Sequence, residues 1–223
     1  KKASFVLKIY LIITVFLKYI INLFYLPKTQ NLDDYSKENQ NLFQKDLNYL
    51  CEYFNSDKGE KFVNQYAKPS KKDDKKIIAH GYAKIYEKYL KENKEKNLNI
   101  IELGSFYGNA SAAFYFYFKN SQIYSADINP DMYLYRSKRL HNFFTDTSSR
   151  SSIEKNILKK NMQFDLIIED ASHMLKDQII SLFILFKNLK SGGFFIVEEI
   201  DFPEKREDMR AVSYTHLTLP TSP

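Results

Sequence analysis

At 223 residues the chain is long enough for one α/β domain with a hydrophobic core plus an N-terminal extension. Its net charge of +6 comes from 33 basic against 27 acidic residues, and lysines are interspersed with acids in runs such as KPSKKDDKK (68–76), which predicts a solvated surface and no nucleic-acid partner. A single cysteine, Cys51, excludes an internal disulfide, and no Cys/His cluster has zinc spacing, so a reducing, cytoplasmic compartment is expected.

Residues 4–26 (SFVLKIYLIITVFLKYIINLFYL) are about as long as a bilayer span, which takes about 20 apolar residues. Lys8 and Lys18 interrupt the run, and a mid-span lysine costs roughly 2.5–3.5 kcal/mol. A membrane anchor, an interfacial helix and a helix packed on protein therefore stay open for residues 1–30, and membrane association through 4–26 is one expected role. At the other end, residues 211–223 (AVSYTHLTLPTSP) carry no charge and abandon the Lys/Asn/Ile/Phe-rich composition. They resemble translated sequencing-adaptor read-through, and the first residue is Lys rather than Met. The chain is accordingly expected to be a gene fragment, with this tail and its His216 excluded from functional reading.

Polar residues 28–40 read as a linker. Asn41 to Phe54 carries Leu42, Phe43, Leu47, Leu50, Cys51 and Phe54 at helical spacing, an amphipathic helix. NSDKGEKF (55–62) reads as a turn with Gly59 at positive φ; its Lys58 is either a solvated turn lysine or a contact to a carboxylate or phosphate. HGYAKIYEKYLKEN (80–93) predicts a second helix with Tyr82, Ile85, Tyr86, Tyr89 and Leu90 on one face, mainly core. His80 at its start is structural or a lid contact. Residues 31–96 together predict a helical extension or lid.

From residue 97 the pattern changes. Short apolar runs at 98–103, 121–128, 142–146, 164–170 and 192–199 each end near a polar or acidic residue, and helical patterns at 109–118, 131–139, 150–160 and 174–189 separate most of them. This alternation predicts an α/β, Rossmann-like, mostly parallel sheet with helices on both faces over residues 97–210. FYFYF (114–118), with no polar break, predicts a helix buried between sheet and N-terminal segment. In such sheets a ligand lies off the carboxyl ends of the strands, where the acids are.

The first strand runs into ELGSFYGNAS, placing Glu102, Gly104, Ser105 and Gly108 in an E-x-G-x-x-x-G arrangement before a helix. Glycines there allow a tight turn and close approach of a ligand to the helix N-terminus; a plain strand-to-helix connection is the alternative. A dinucleotide loop would place glycine at 106, where Phe106 stands. Asp127 ends the second strand and suits both hydroxyls of a ribose, or it caps the next helix as Asp131 also would. Asp146 ends the third strand and reaches an adenine or serves a turn. Glu169, Asp170 and His173 (EDASH) end the fourth, either as site residues or as caps for the following helix. His141 reads as a surface residue.

These segments resemble the class I S-adenosylmethionine-dependent methyltransferases. EDASH with GGFFIVEEI, together with NSDKGEKF and HGYAKIYE, is similar to the metal-dependent sugar O-methyltransferases of the macrolide-sugar and rhamnosyl type, over about residues 54–203. The resemblance implies S-adenosylmethionine on Glu102, Gly104, Ser105, Gly108, Asp127 and Asp146, magnesium on Asp170, Glu198 and Glu199, and His173 as general base. The family pairs Glu with Asp where this chain has Glu198 and Glu199, and Asp201 is a candidate to compensate. The chemistry is consistent: carboxylates suit a hard cation, a bound cation acidifies a hydroxyl, and a histidine takes its proton near neutrality.

A small-molecule or glycan acceptor is therefore expected, with a homo-oligomer left open. A metal-independent methyltransferase, a membrane-tethered module without turnover and, more distantly, a nicotinamide oxidoreductase are the competing readings. The resembled fold has seven strands and this chain reaches five, so an unprotected edge at 194–199 and poor solubility or inactivity are expected of the chain as written.

Overall fold

The computed structural model describes residues 9–10, 12–17, 20, 28–63, 79–158 and 161–200. Most of 4–26, the lysine run 68–76, Asp201 and the tail 211–223 lie outside the described residues. No helix among the described residues is long and apolar enough to cross a membrane.

The elements in chain order are β1 (Gln30–Asn31), α1 (Leu32–Glu38), α2 (Leu47–Tyr53), α3 (Tyr82–Leu90), β2 (Asn99–Leu103), α4 (Asn109–Tyr117), β3 (Gln122–Asp127), β4 (Tyr135–Arg136), β5 (Leu140–Phe144), α5 (Arg150–Asn156), β6 (Phe164–Glu169), α6 (Leu175–Leu185) and β7 (Leu189–Val197), with short 3-10 turns between some of them. Five strands form one sheet in the order β5-β3-β2-β6-β7, and every neighbouring pair is parallel. Because β3 and β5 lie on one side of β2 while β6 and β7 lie on the other, the chain reverses direction of winding between β2 and β6. A cleft opens at that switch point, beyond the carboxyl ends of the strands.

The central strands are continuous apolar runs because both faces are covered. Ile100, Ile123, Leu166 and Ile168 pack with α4 and the N-terminal helices, whereas Ile101, Leu103, Ala126 and Ile167 pack with Ile153 of α5 and Leu185 of α6. The alternation follows the two-residue period of a strand. Helix α4 is buried from Ala110 to Tyr117, as expected of FYFYF. Its outer face meets the N-terminal helices, where Phe116 stacks on Phe54 with ring centroids 5.5 Å apart and meets Phe43 at 4.9 Å.

Several sequence expectations require correction. The polar stretch 28–40 is not a linker: Asn31 caps α1 by accepting from Asp33 N–H, and Leu32 is fully buried. The helix expected over 41–54 breaks into a 3-10 turn at Gln40–Gln44 and α2, because Asp46 caps a new start by accepting from Tyr49 N–H at 2.6 Å. Gly59 does not take positive φ; Asn55 does, at 54°. The helix expected over 131–139 is a 3-10 turn, Pro130–Met132, followed by β4, which pairs in parallel with β1. His141 lies within β5, half-buried, stacked on Tyr124 and 2.8 Å from the Gln122 side chain. On α3, Tyr86 and Leu90 are core, but Ile85 and Tyr89 are more than half exposed.

Candidate active site

Glu102 is the penultimate residue of β2 and is buried; its Oε2 accepts from Ser111 Oγ of α4 at 3.1 Å. The chain then turns at Gly104, whose φ of 85° and close approach both demand glycine: a Cβ there would lie 2.1 Å from the Asp170 carbonyl oxygen. Gly108 starts α4 at φ 79°, and a Cβ would collide with the Tyr133 ring. Between the glycines, the Ser105 hydroxyl is buried with no hydrogen-bond partner among the described residues, an orphaned donor at the mouth of the cleft.

Asp127 ends β3. It does not cap a helix: its Oδ2 accepts from Phe106 N–H at 2.8 Å and its Oδ1 from Asn129 N–H at 2.7 Å. Phe106 adopts φ 45° to make that bond. Asp146 sits two residues beyond β5 and accepts from Ser148 N–H and Oγ, so it is a turn residue, yet it also borders a side cavity of about 240 Å³ shared with Gly104 and Asp127. The main cavity, about 420 Å³, is bounded by Lys58, Glu102, Gly104, Asp127, Asp170 and His173, with Ser105 and Asn55–Asp57 on its wall.

The acids after β6 are not helix caps. Helix α6 begins after Met174 and has no side-chain cap. Glu169 is fully buried, and burial pushes its carboxyl up to about 7. Asp170 faces the cavity, and its Oδ1 lies 3.1 Å from His173 Nε2. His173 is held at φ 58°. Its imidazole is raised above the ordinary value, by the bond to Asp170 against the opposing effect of burial.

Of the two readings left open for Lys58, a solvated turn lysine or a contact to a carboxylate or phosphate, the structure shows the carboxylate contact. Lys58 is 1% exposed, and its Nζ donates to Asp170 Oδ2 at 2.6 Å and to Glu198 Oε2 at 2.7 Å, with Glu102 Oε1 at 3.4 Å. Burial would lower the ammonium's pKa, but Asp170, Glu198 and Glu102 together raise it well above the ordinary lysine value. The carboxylates respond unequally. Burial lifts Glu198 to about 8 and Glu102 to about 7 against the pull of Lys58. Asp170 is also buried, yet Lys58 and His173 hold it below its ordinary value. The SDKG spacing was the available signal, but it cannot distinguish a solvated turn from a buried ion pair.

Glu198 is further bonded by the Tyr86 hydroxyl. Glu199, at φ 54°, turns away to His80 Nδ1 and to the Tyr82 hydroxyl at 3.1 Å. Among the described residues no three acids or histidines enclose a point that would hold a metal ion: Asp170 and Glu198 converge on Lys58 and Glu199 on His80. Carboxylate oxygens are the donor type a hard cation takes, but in this arrangement those of Asp170 are bonded to Lys58 and His173 and those of Glu198 to Lys58 and Tyr86.

No family model matches the chain. Over 128 residues it is 24% identical to the 8-demethyl-8-alpha-L-rhamnosyl tetracenomycin-C 2'-O-methyltransferase of Streptomyces olivaceus, covering 54% of this chain and 33% of that protein. Over 134 residues it is 22% identical to the 8-demethyl-8-(2-methoxy-alpha-L-rhamnosyl)-tetracenomycin-C 3'-O-methyltransferase of the same organism, covering 57% and 34%. The match thus spans about a third of the length of these curated relatives. Among solved structures it is similar to the MycE methyltransferase of the mycinamycin biosynthetic pathway in complex with Mg and SAH, with a TM-score of 0.55, 19% identity and coverage of 69% of this chain and 37% of that one. The same enzyme with Mg, SAH and mycinamycin VI matches at a TM-score of 0.55 and 18% identity. The chain therefore has relatives among sugar O-methyltransferases, and its parallel sheet with flanking helices is the Rossmann-like methyltransferase fold.

Proposed function

We propose that this chain is the cofactor-binding part of an S-adenosylmethionine-dependent O-methyltransferase that acts, with magnesium, on a sugar hydroxyl of a glycosylated small molecule. The observation that carries this reading is the convergence of Glu102, Asp127, Asp170 and His173 on one cavity of about 420 Å³ at the switch point of the sheet. The relatives' names supply the acceptor class.

In this reading the acidic wall receives a cationic ligand. Glu102 and the turn Gly104–Gly108 hold the amino-acid end, with the orphaned Ser105 hydroxyl as a further donor, and Asp127 takes the ribose hydroxyls with lone pairs that its two backbone donors leave over. Asp146 borders the adenine side. Asp170 and Glu198 would hold the magnesium ion, joined by Glu199 if it leaves His80. When bound, S-adenosylmethionine supplies an electrophilic methyl group and magnesium a Lewis acid for the acceptor oxygen. His173 removes the hydroxyl proton. Asp170 Oδ1 lies 3.1 Å from Nε2 and orients the ring, and the raised pKa makes the imidazole the stronger base. Asn55–Lys58 line the cavity, which supports reading residues 31–96 as a helical extension that serves as a lid.

The test is calorimetric titration of this chain with S-adenosylmethionine, then with magnesium. Micromolar cofactor binding, and magnesium binding that Asp170→Asn abolishes, are expected. A folded chain that binds neither overturns the reading. We also propose that the apolar N-terminus rests on a membrane surface, since the described helical residues Tyr10, Ile12, Val15 and Phe16 are each more than 60% exposed.

A further inference from the structure

We infer that Tyr133, which does not border the main cavity, is a positioning residue for the amino-acid end of the cofactor: its ring backs Gly108, and its hydroxyl begins a chain of hydrogen bonds that ends on Glu102. The inference rests on the S-adenosylmethionine reading above and takes nothing from the magnesium reading.

The turn after β2 borders the cavity through Gly104, Ser105, Phe106 and Tyr107, and it is held from behind. Tyr133 follows the 3-10 turn Pro130–Met132 and is 4% exposed. Three successive residues leading into α4 each find a partner in Tyr133–Tyr135. The Tyr107 carbonyl accepts from Leu134 N–H at 3.0 Å, a Cβ on Gly108 would meet the Tyr133 ring at 2.4 Å, and Asn109 Oδ1 accepts from the Tyr135 hydroxyl at 3.3 Å. The segment is fixed in its turn by β1, because Gln30 N–H donates to the Leu134 carbonyl at 2.7 Å.

The hydroxyl has a second task. It lies 2.8 Å from Ser125 Oγ of β3, Ser125 Oγ lies 2.9 Å from Ser111 Oγ of α4, and Ser111 Oγ donates to Glu102 Oε2 at 3.1 Å. A hydroxyl has one proton to give. Ser111 spends its proton on Glu102 and so accepts from Ser125, which accepts from Tyr133; all three O–H dipoles run toward the carboxylate. Both serines are fully buried, and bonds in such a chain strengthen one another by about 10–30% each. Oε2 is thereby fixed, while Lys58 stands 3.4 Å off Oε1, against 2.6 and 2.7 Å to its other two partners. A carboxylate accepts about four hydrogen bonds, so Glu102, which borders the cavity, keeps lone pairs for the ammonium group of an amino acid.

The experiment is calorimetric titration of this chain, of Tyr133→Phe and of Ser125→Ala with S-adenosylmethionine and with methylthioadenosine, which has the adenosine and the sulfur but no amino-acid end. Thermal midpoints are recorded alongside. Tyr133→Phe keeps the ring on Gly108 and removes only the hydroxyl; Ser125→Ala cuts the same chain one link further on and decides the matter if the first variant does not fold. S-adenosylmethionine binding about three- to tenfold weaker, with methylthioadenosine binding unchanged, is expected. Equal weakening for both ligands means that Tyr133 merely supports the fold, and unchanged affinity for both means that the chain of hydroxyls does not act on the ligand; either result overturns the inference while leaving the cofactor reading intact. A folded, unaltered chain that binds neither ligand overturns the cofactor reading, and the inference falls with it.

Discussion

The backbone N–H of Phe106 donates to the Asp127 carboxylate at 2.8 Å, and Phe106 takes a left-handed φ of 45° to do so. The turn after β2 is thereby tied to the end of β3, and a non-glycine residue performs it at a cost of roughly 1–2 kcal/mol. Asp127→Asn replaces one accepting oxygen by an amide NH2 that faces an N–H. It is expected to lower stability by about 2 kcal/mol and to weaken S-adenosylmethionine binding. Urea denaturation and calorimetry measure both, and a variant as stable as the unaltered chain would show that the tie is incidental.

Gly104 and Gly81 form a matched pair. Both have positive φ, 85° and 70°, but a Cβ on Gly104 meets the Asp170 carbonyl at 2.1 Å, whereas one on Gly81 meets nothing within 4 Å. Gly81→Ala carries the left-handed conformational cost alone, about 1 kcal/mol. Gly104→Ala must also push two strand ends apart and is expected to cost about 3 kcal/mol or more. Equal thermal midpoints for the two variants would contradict the close approach.

Stability should depend on pH through the buried carboxyls. Glu102 and Glu198 are lifted from an ordinary 4.5 to about 7 and about 8, chiefly by burial. A carboxyl with a raised folded value keeps its proton better in the folded state, so its contribution is present at low pH and is lost as pH rises from about 4.5 through about 8. Asp170 is held low, so its contribution is lost only as pH falls below its ordinary 3.8. Without divalent cations, the urea midpoint should be highest between about pH 4 and 5 and decline toward pH 8, and magnesium should flatten the decline. A profile that rises from pH 5 to 8 would place the protons elsewhere.

Exposed apolar side chains at Tyr10, Ile12, Val15 and Phe16, with Lys8 and Lys18 interspersed in the sequence, favour an anionic lipid surface. Flotation with phosphatidylglycerol vesicles is expected to carry the chain upward, less so at high salt because surface attraction is screened. A Phe16→Asp, Val15→Asp variant should stay at the bottom. Binding that survives this double change would assign the membrane contact to another surface.

Much of the core was legible beforehand. The runs at 98–103, 121–128 and 164–170 are strands to within two residues, since a parallel strand buried on both faces has to be apolar throughout. FYFYF is buried as read. The acids at the strand ends also lie where the alternation of strands and helices puts them, because βαβ connections carry every carboxyl end to the same edge. The resemblance to sugar O-methyltransferases rested on these local segments and agrees with the fold and with the relatives found.

One misreading and two long-range pairings share a cause. MYLYRSKRL (132–140) has a helix-like spacing of apolar residues, yet Tyr133 packs against Gly108, Tyr135 pairs with Gln30, and β4 cannot coil. Lys58 sits in a string that suits an exposed turn, while its partners Asp170 and Glu198 are 112 and 140 residues away. Glu199 stands beside Glu198 in sequence but turns to His80 at positive φ. The sequence by itself determined the strands, the buried helix and the acid-tipped edge, because burial patterns repeat over two to four neighbouring residues. Only the tertiary structure decided which buried charges meet, because pairing an ammonium with carboxylates depends on which distant strand ends the sheet brings within 3 Å of it.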